Sequence, residues 1–273
     1  MTEAQTTSCF SVTSVADAYN DIYVPRIFIP WAELLVQVVA PRPGESLLDV
    51  ATGPGTVARV AAGRLGPSGR VVGTDLSGAM IELARRQGAP DGAPIEYLVA
   101  PADPLPVADA SFDIVTCQQG LQFFPDRPAA VSEMFRTLKP GGRLTVAVWR
   151  GIDMQPSFAA IYAALKECLP LEKARPYATP FEWPDPRELA DMLRQTGFRE
   201  VVIRERVLPL TYEGGIKQAL STLAASPVAT TVAAMTVEDR QRLWATTRRC
   251  LLPLEVEGRV RAHMVSNVAT ARK

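Results

Sequence analysis

Two aspartates flank a glycine-rich turn, and their spacing predicts a site for a nucleotide-type cofactor. Residues 53–58 (Gly-Pro-Gly-Thr-Val-Ala) match the pattern G-x-G-x-x-(G/A) of dinucleotide sites. Asp75 follows Gly55 by twenty residues, where an acidic side chain binds the hydroxyls of an adenosine ribose. Both NAD and S-adenosylmethionine (SAM) carry such a ribose, so this spacing alone fits either cofactor.

Asp49 distinguishes the two cofactors by its charge. It lies four residues before Gly53. Close to the pyrophosphate of NAD, its carboxylate would repel like charge at short range, whereas close to the ammonium and sulfonium groups of SAM it would attract opposite charge. The charge therefore favours SAM, and an NAD-dependent oxidoreductase is kept as an alternative.

The elements around this turn place it at the edge of a parallel sheet. Leu47, Leu48 and Val50 form a short apolar run that is typical of a buried strand. After the glycines, Val57 and Val60 share one face of a helical pattern. A strand, a tight turn and a helix N-terminus in this order create a ligand site at the carboxyl end of the strand.

Five motifs within residues 15–150 resemble those of the class I SAM-dependent methyltransferases. The chain is most similar to their ubiquinone/menaquinone-biosynthesis-type branch (methyltransferase domain 11), which also includes small-molecule methyltransferases of specialised metabolism. The motifs are residues 47–55 (Leu-Leu-Asp-Val-Ala-Thr-Gly-Pro-Gly), 74–77 (Thr-Asp-Leu-Ser), 101–103 (Pro-Ala-Asp), 112–118 (Phe-Asp-Ile-Val-Thr-Cys-Gln) and 138–142 (Leu-Lys-Pro-Gly-Gly). One position departs from the family pattern, because Ala51 stands where the family has its first glycine.

The resemblance implies an α/β fold, namely a Rossmann-like, seven-stranded methyltransferase sheet with helices on both faces and helical lid insertions. It also implies that Leu76 and Met80 flank the adenine of SAM and that Asp103 binds the adenine amino group. Gln118 would contact the methionyl part. The residues predicted to bind the cofactor are Asp49, Thr52, Gly53, Gly55, Asp75, Leu76, Met80, Ala102, Asp103, Gln118 and Tyr23.

Changes of pattern along the chain predict its division into a core with insertions. The predicted parts are an N-terminal helical cap at 1–40, the SAM-binding core at 41–151, a lid insertion at 152–184, a continuation of the core at 185–211, a second helical lid insertion at 212–257 and the final core strand at 258–273. Residues 138–142 are predicted to stop a helix before a strand at 144–149, and residues 152–169 are predicted to be helical.

Aromatic side chains are frequent in the predicted cap and lid, which suggests a planar or aromatic acceptor. The residues predicted to bind the substrate are Tyr19, Trp31, Gln119, Trp149, Tyr177 and Trp183, with Gln122 as an alternative to Gln119. The resemblance implies that Tyr23 and Trp31 close the pocket, because family members cap the cofactor with this segment. The same aromatic residues would also serve to pack the cap onto the core, and both interpretations are kept.

Methyl transfer from a sulfonium is an in-line displacement with an activated leaving group. The protein mainly holds the acceptor, the methyl group and the sulfur in line, and orientation of this kind supplies roughly 7–11 kcal/mol. An electron-rich ring carbon attacks first and loses its proton later, so the reaction does not require a base. His263, the only histidine, and Tyr23 are weak candidates for one, and Tyr19, Tyr177 and Glu182 are no better. Carbon methylation of an indole or quinone-type ring is favoured by the resemblance, with oxygen and nitrogen methylation left open.

Other functions fit only parts of the sequence. A cyclase or decarboxylase on the same fold would bind SAM without transferring its methyl group, and the fold alone does not distinguish these activities. Nucleic-acid methylation is disfavoured, because no Asn/Asp-Pro-Pro-aromatic motif follows the fourth strand. A basic stripe that would contact phosphates is also absent from the sequence.

Composition limits the partners and the compartment. The formal net charge is +0, so no overall field attracts nucleic acid or an anionic membrane. Cys9, Cys117, Cys168 and Cys250 lack metal-ligand spacing, which predicts no metal site and a reducing compartment. The first eleven residues lack a signal-peptide pattern, and no apolar run is long enough to span a bilayer. We expect a cytoplasmic enzyme with a small-molecule substrate, with a homodimer as one expected form.

Overall fold

The apolar runs predicted as strands form one mixed sheet in the computed structural model, which describes residues 13–88, 90–183 and 185–273. Its strands are β1 (Ser46–Val50), β2 (Arg70–Asp75), β3 (Ile95–Val99), β4 (Phe112–Gln118), β5 (Leu138–Trp149), β6 (Arg199–Tyr212), β7 (Glu255–Val256) and β8 (Arg259–Arg272). The order across the sheet is β3-β2-β1-β4-β5-β8-β6, and the short β7 pairs with β8. The predicted α/β fold is confirmed.

The direction of the strands determines where a ligand can bind. Strands β1 to β5 are joined by parallel pairings, whereas β8 runs antiparallel to β5. Across the sheet, β2 and then β3 lie on one side of β1, whereas β4 and then β5 lie on its other side. The strand order therefore reverses between β1 and β4. Open sheets bind ligands outside the carboxyl ends of their strands at such a reversal. Asp49 lies at this point, paired in register with Gly73 on β2 and Thr116 on β4.

Some of the described helices begin after a residue whose side chain caps them. The helices are α1 (Thr13–Ile22), α2 (Ile29–Val39), α3 (Thr56–Leu65), α4 (Gly78–Arg86), α5 (Arg127–Thr137), α6 (Pro156–Cys168), α7 (Leu171–Ala174), α8 (Pro186–Thr196), α9 (Gly215–Ser221), α10 (Ala229–Ala233) and α11 (Val237–Leu251). Ser77, Asp126 and Asp185 each accept a hydrogen bond from a backbone N–H in the first turn of the helix that follows. These three side chains cap α4, α5 and α8, respectively.

Two predicted boundaries are wrong for local reasons. Strand β5 begins at Leu138 rather than at residue 144. Its pairing with β4 passes from Phe112 opposite Leu138 directly to Ile114 opposite Arg143, so residues 139–142 form an irregularity inside the strand rather than a loop before it. The helix predicted from residue 152 begins only at Pro156, because Ile152–Met154 is a separate 3-10 turn.

The chain divides into two compact units. The sheet unit contains residues 28–149, 185–206 and 266–273, and its core packs Val36 of α2 and Val57 of α3 with Leu47 of β1. The helical unit contains residues 150–183 and 207–265 and the chain up to Ile27. Its aromatic cluster consists of Tyr23, Phe158, Tyr162, Tyr177 and Phe181. The predicted cap and lid stay predictions, and the first twelve residues of the cap lie outside the described ones.

Candidate active site

Asp49 is fully buried at the carboxyl end of β1 and is held by two threonines. The hydroxyl of Thr52 donates to its Oδ2 at 2.6 Å, and the hydroxyl of Thr116 on β4 donates to its Oδ1 at 2.8 Å. Burial raises the pKa of Asp49 to about 6, although the bonds from Thr52 and Thr116 oppose this rise. A cationic ligand beside this carboxyl would favour its ionised form and would be attracted by it.

The two glycines of the turn are required for different reasons. Both have positive φ, +54° at Gly53 and +77° at Gly55. A Cβ atom on Gly55 would overlap the hydroxyl of Tyr97 from β3, so this glycine makes room for a neighbouring side chain. A Cβ atom on Gly53 would meet no atom within 4 Å. Gly53 therefore faces open space, where a ligand can approach the backbone closely.

Asp75, at the end of β2, ties the glycine turn to the start of α4. Its Oδ2 accepts from the backbone N–H of Gly53 at 2.8 Å, and its Oδ1 accepts from the backbone N–H of Ser77 at 2.9 Å. Burial raises the pKa of Asp75, and these two backbone donors oppose the rise. Each carboxylate oxygen has a further lone pair, so Asp75 can still accept hydrogen bonds from ligand hydroxyls.

Apolar side chains are exposed beside Asp75, at the ends of β2 and β3. Leu76 is 57% exposed and Val99 is 56% exposed, which is unusual for large aliphatic residues this close to a sheet. Met80, on the first turn of α4, is buried, while Ala102 is half-buried and Asp103 is exposed. This surface offers apolar contact for a flat ring with a carboxylate at its rim, as the adenine contacts predicted for these residues require.

Gln118 and Gln119 end β4 on the other side of Asp49. The Nε2 of Gln118 donates to the backbone carbonyl of Phe28 at 3.1 Å, and its Oε1 is buried without a hydrogen bond. The Nε2 of Gln119 donates to the hydroxyl of Ser266 at 3.1 Å. The predicted cofactor residues from Asp49 to Gln118 are thus all in the sheet unit, at the carboxyl ends of β1, β2, β3 and β4 or just beyond them.

The aromatic residues predicted to bind the substrate belong to both units and pack into aromatic clusters. Trp31 and Trp149 are buried in the sheet unit, with their rings edge to face at 5.4 Å between centroids. In the helical unit, Tyr177 stacks with Tyr162, and Tyr19 packs edge to face on Tyr23. Trp183 is half-buried in the same unit. Packing explains these positions, and contact with a substrate stays a prediction.

Both candidate bases belong to the helical unit, whereas the two carboxylates belong to the sheet unit. Tyr23 is buried in the helical unit, and its hydroxyl donates to the backbone carbonyl of Thr222 at 3.0 Å. Burial raises the pKa of Tyr23 far above its ordinary value, which argues against Tyr23 as a proton acceptor. His263 is exposed on β8 in the helical unit. Among the other candidates, Glu182 is paired with Arg175 at 3.1 Å.

Residues 13–88, 90–183 and 185–273 are the described part of the chain. This part of the chain contains no group of three or more His, Cys, Asp or Glu side chains placed to hold a metal ion. Cys117, Cys168 and Cys250 are free thiols, while Cys9 lies outside the described residues. None of the described helices combines the length and the apolar character that crossing a bilayer requires.

Several residues at this edge were not predicted to belong to a site. The sequence predicts Thr116 only as part of a strand, yet its hydroxyl donates a hydrogen bond to Asp49 because β1 and β4 are adjacent. Val99 is the last residue of β3. It could have been predicted to lie at the site, because it is an apolar residue at the carboxyl end of a strand pattern. Tyr97 and Ser266 act through contacts distant in sequence, which local patterns do not show.

Comparison with known proteins gives consistent matches. A model of the ubiE/COQ5 methyltransferase family matches residues 1–207. The ubiquinone/menaquinone biosynthesis C-methyltransferase UbiE of Hahella chejuensis is 37% identical over 138 residues, which are 50% of this chain and 55% of that protein. The enzyme of the same name from Laribacter hongkongensis is 30% identical over 209 residues, which are 70% of this chain and 82% of that protein.

The solved structures give the same fold. A solved structure of a protein from Bacillus halodurans C-125 matches with a TM-score of 0.56 and 26% identity. The match covers 89% of this chain and 98% of that one. By contrast, the chain spans only about half the length of the first curated relatives that it matches.

Proposed function

The chain belongs to the ubiE/COQ5 methyltransferase family, a family of SAM-dependent methyltransferases, and on that premise we propose that it transfers a methyl group from SAM to a ring carbon of a small planar acceptor. The observation that carries this proposal is the buried carboxyl of Asp49 beside the open backbone of Gly53. An anionic group at this point suits a cationic cofactor and disfavours a pyrophosphate.

The residues at the sheet edge fit the parts of SAM. We assign the ribose hydroxyls to Asp75, because its oxygens already organise the turn and retain free lone pairs. The exposed side chain of Leu76 and the neighbouring Met80 provide apolar contact for the adenine, with Asp103 and Ala102 at its rim. Asp49, Thr52, Gly53, Gly55 and Gln118 surround the remaining space, where the amino acid part of SAM would lie. The contact predicted for Tyr23 stays a prediction from the resemblance.

The proposed reaction does not require the protein to supply an acid or a base. SAM supplies a methyl group on a positively charged sulfur that leaves as a neutral thioether. The acceptor's ring carbon forms the new bond to that methyl, the sulfur keeps the electron pair of the broken bond, and the ring carbon then loses its proton to water. This chain's residues would orient the acceptor, while the positive charge passes from the sulfur to the ring with the methyl group and then leaves with the proton that water accepts.

The acceptor class rests on the relatives. Both curated relatives described above are named C-methyltransferases of ubiquinone and menaquinone biosynthesis. We therefore favour a quinol-type ring over an indole, and carbon over oxygen or nitrogen. Specialised metabolism, a cytoplasmic location and a homodimer stay predictions from the sequence.

Two titrations and one product assay test the proposal. Calorimetry with S-adenosylhomocysteine should give micromolar binding, whereas NAD should give no heat of binding. Incubation with methyl-labelled SAM and naphthohydroquinone, kept reduced under nitrogen, should give a labelled product whose label resists ether cleavage, as carbon methylation requires. Binding of NAD alone would identify an oxidoreductase. Cofactor binding with no labelled product from any acceptor in a panel of quinols, indoles and phenols would instead favour a SAM-binding cyclase or decarboxylase.

A further inference from the structure

Buried carboxamide atoms without hydrogen bonds are concentrated in the five residues after Cys117. The Oε1 atoms of Gln118 and Gln119 and both amide atoms of Gln122 are inaccessible to solvent and make no hydrogen bond. Buried polar groups in native proteins are nearly always paired, because an unpaired one keeps the cost of leaving water. Four such atoms in one short segment therefore call for a ligand that pairs with them.

Gln119 is held rigidly, with its carboxamide oxygen left free. Its backbone has φ of +54°, a conformation that L-residues adopt only where the surroundings enforce it. Its backbone N–H donates to the carbonyl of Ala147 at 2.9 Å, and its Nε2 donates to the hydroxyl of Ser266 at 3.1 Å. That hydroxyl donates its own hydrogen to the carbonyl of Val148 at 2.7 Å. Ser266 can therefore only accept from Gln119, which fixes the amide nitrogen towards Ser266 and leaves Oε1 as a hydrogen-bond acceptor.

Gln122 presents a donor and an acceptor together. It lies in the 3-10 turn Leu121–Phe123, and its backbone carbonyl accepts from Arg127 at 2.9 Å. Neither its Oε1 nor its Nε2 has a partner. A primary amide in this state matches a group that both donates and accepts, such as a hydroxyl.

These glutamines are part of the same edge as the glycine turn. A Cβ atom on Gly120, between them, would lie 2.5 Å from the Cβ of Ala51, so the glutamine loop packs directly on the turn that follows β1. Strand β4, which leads into the loop, pairs Thr116 with Asp49. All of these residues belong to the sheet unit. A ligand bound to the glutamines would therefore lie next to the ligand held by Asp49.

We propose that Gln119 and Gln122 bind a hydroxyl group on the acceptor ring, and that Ser266 is a positioning residue that orients Gln119. This inference rests on the proposed function and adds the residues that recognise a free ring hydroxyl and discriminate against an ether. The hydroxyl donates to a glutamine Oε1 and accepts from Gln122 Nε2. Because these atoms are inaccessible to solvent in this structure, the groups packed over them must move before the acceptor reaches them.

Two ligands, one with free ring hydroxyls and one with the same oxygens methylated, test the proposal. Naphthohydroquinone and its dimethyl ether are titrated, under nitrogen, into protein saturated with S-adenosylhomocysteine, and binding is followed by tryptophan fluorescence. The wild type should bind the hydroquinone at least about tenfold more tightly than the ether. Gln119→Met and Gln122→Met, which keep side-chain length but remove the amide, should each reduce this preference to about threefold or less. Gln195→Met, on the exposed surface of α8 in the same unit, is the control and should keep it.

Ser266→Ala distinguishes positioning from a general structural role. In the wild-type background it should reduce the preference for naphthohydroquinone over its dimethyl ether. In the Gln119→Met background it should cause no further reduction, because the serine acts through that glutamine. If a methionine variant fails to fold, Gln122→Asn, which withdraws the amide by one methylene, should weaken the preference in the same way.

The outcomes separate this inference from the proposed function. Equal binding of both ligands by the wild type, or an unchanged preference in Gln119→Met and Gln122→Met, would overturn the hydroxyl subsite while leaving cofactor binding intact. Failure of the wild type to bind S-adenosylhomocysteine would instead contradict the proposed function itself.

Discussion

The carboxylate of Asp75 accepts a hydrogen bond from the backbone N–H of Gly53 at 2.8 Å, which joins the end of β2 to the glycine turn after β1. This single bond explains why an acidic residue at that spacing matters even before a ligand binds. The same side chain that is proposed to bind the ribose also fixes the backbone that the ligand approaches. Loss of Asp75 should therefore affect both the ligand and the turn.

Asp75→Ala should weaken binding of S-adenosylhomocysteine by about 1.5–3 kcal/mol, the usual value for hydrogen bonds to a charged group. Calorimetry gives the dissociation constant directly. Asp91→Ala, which removes an exposed carboxylate from the same unit, should leave affinity unchanged. Equal affinity in Asp75→Ala and the wild type would remove Asp75 from the site.

The two glycines should respond differently to the same substitution. Gly55→Ala forces Tyr97 to move and should lower the melting temperature more than Gly53→Ala, which meets no atom. Gly53→Ala should lower the melting temperature only modestly. It should nevertheless weaken S-adenosylhomocysteine binding clearly, because the new methyl group enters the space left for the ligand. Thermal denaturation and calorimetry on both variants test this. A Gly53→Ala protein that binds as the wild type does would show that the ligand lies elsewhere.

Binding of SAM should depend on pH through Asp49, whose pKa burial raises to about 6. The raised pKa means that the ligand-free fold holds this proton more tightly than the unfolded chain does. The ionised form thus destabilises the fold above about pH 6, and this penalty is relieved as the pH falls towards the ordinary aspartate value near 4. SAM favours the ionised form, so its affinity should rise by up to about tenfold per pH unit below pH 6 and level off above it.

Calorimetry with SAM between pH 5 and pH 8 measures this dependence. Burial also raises the pKa of Asp75, which acts in the same direction, so a second protein is needed to assign the effect. Asp49→Asn should bind SAM weakly at every pH and should lose most of the dependence. A variant that keeps the full pH profile would show that Asp49 does not face the cofactor.

Trp31 should act mainly through packing. It is 1% exposed and lies edge to face on Trp149, so Trp31→Ala should lower the free energy of unfolding by about 3–5 kcal/mol. Urea denaturation measures this loss, and Trp31→Phe should recover part of it without changing the acceptor KM. A raised KM in a stable Trp31→Phe protein would instead favour the predicted contact with the substrate.

The sequence was informative where the chemistry is local. The spacing of Asp49, Gly53 and Asp75 predicted that these residues lie together at one edge of the sheet, because β1, its turn and β2 are consecutive along the chain. The motifs also predicted the family correctly. Side-chain roles that depend on distant neighbours could not be predicted in this way. Gln119 and Ser266 are 147 residues apart and meet only because β8 pairs with β5.

The same limit applies to charge and to strand boundaries. The rise in the pKa of Asp49 comes from complete burial, and neither the threonine on β4 nor the degree of burial can be read from a pattern of residues. Residues 139–142 combine lysine, proline and two glycines, which favour a loop, yet pairing with β4 on either side keeps them within β5. Tertiary pairing overrides local preference there.

The position of β8 between β5 and β6 also constrains the order of assembly during translation. Strands β1 to β5 leave the ribosome first and can associate as a parallel sheet while later residues are still being added. Among the described strands, β6 has β8 as its only neighbour along the sheet, so it waits for residues 259–272 before it can join. Until then the edge groups of β6 are unpaired, and the side-chain amide of Gln119 lacks the Ser266 hydroxyl to which it donates. The proposed hydroxyl subsite, which depends on Ser266 of β8, therefore forms only after residues 259–272 have been added.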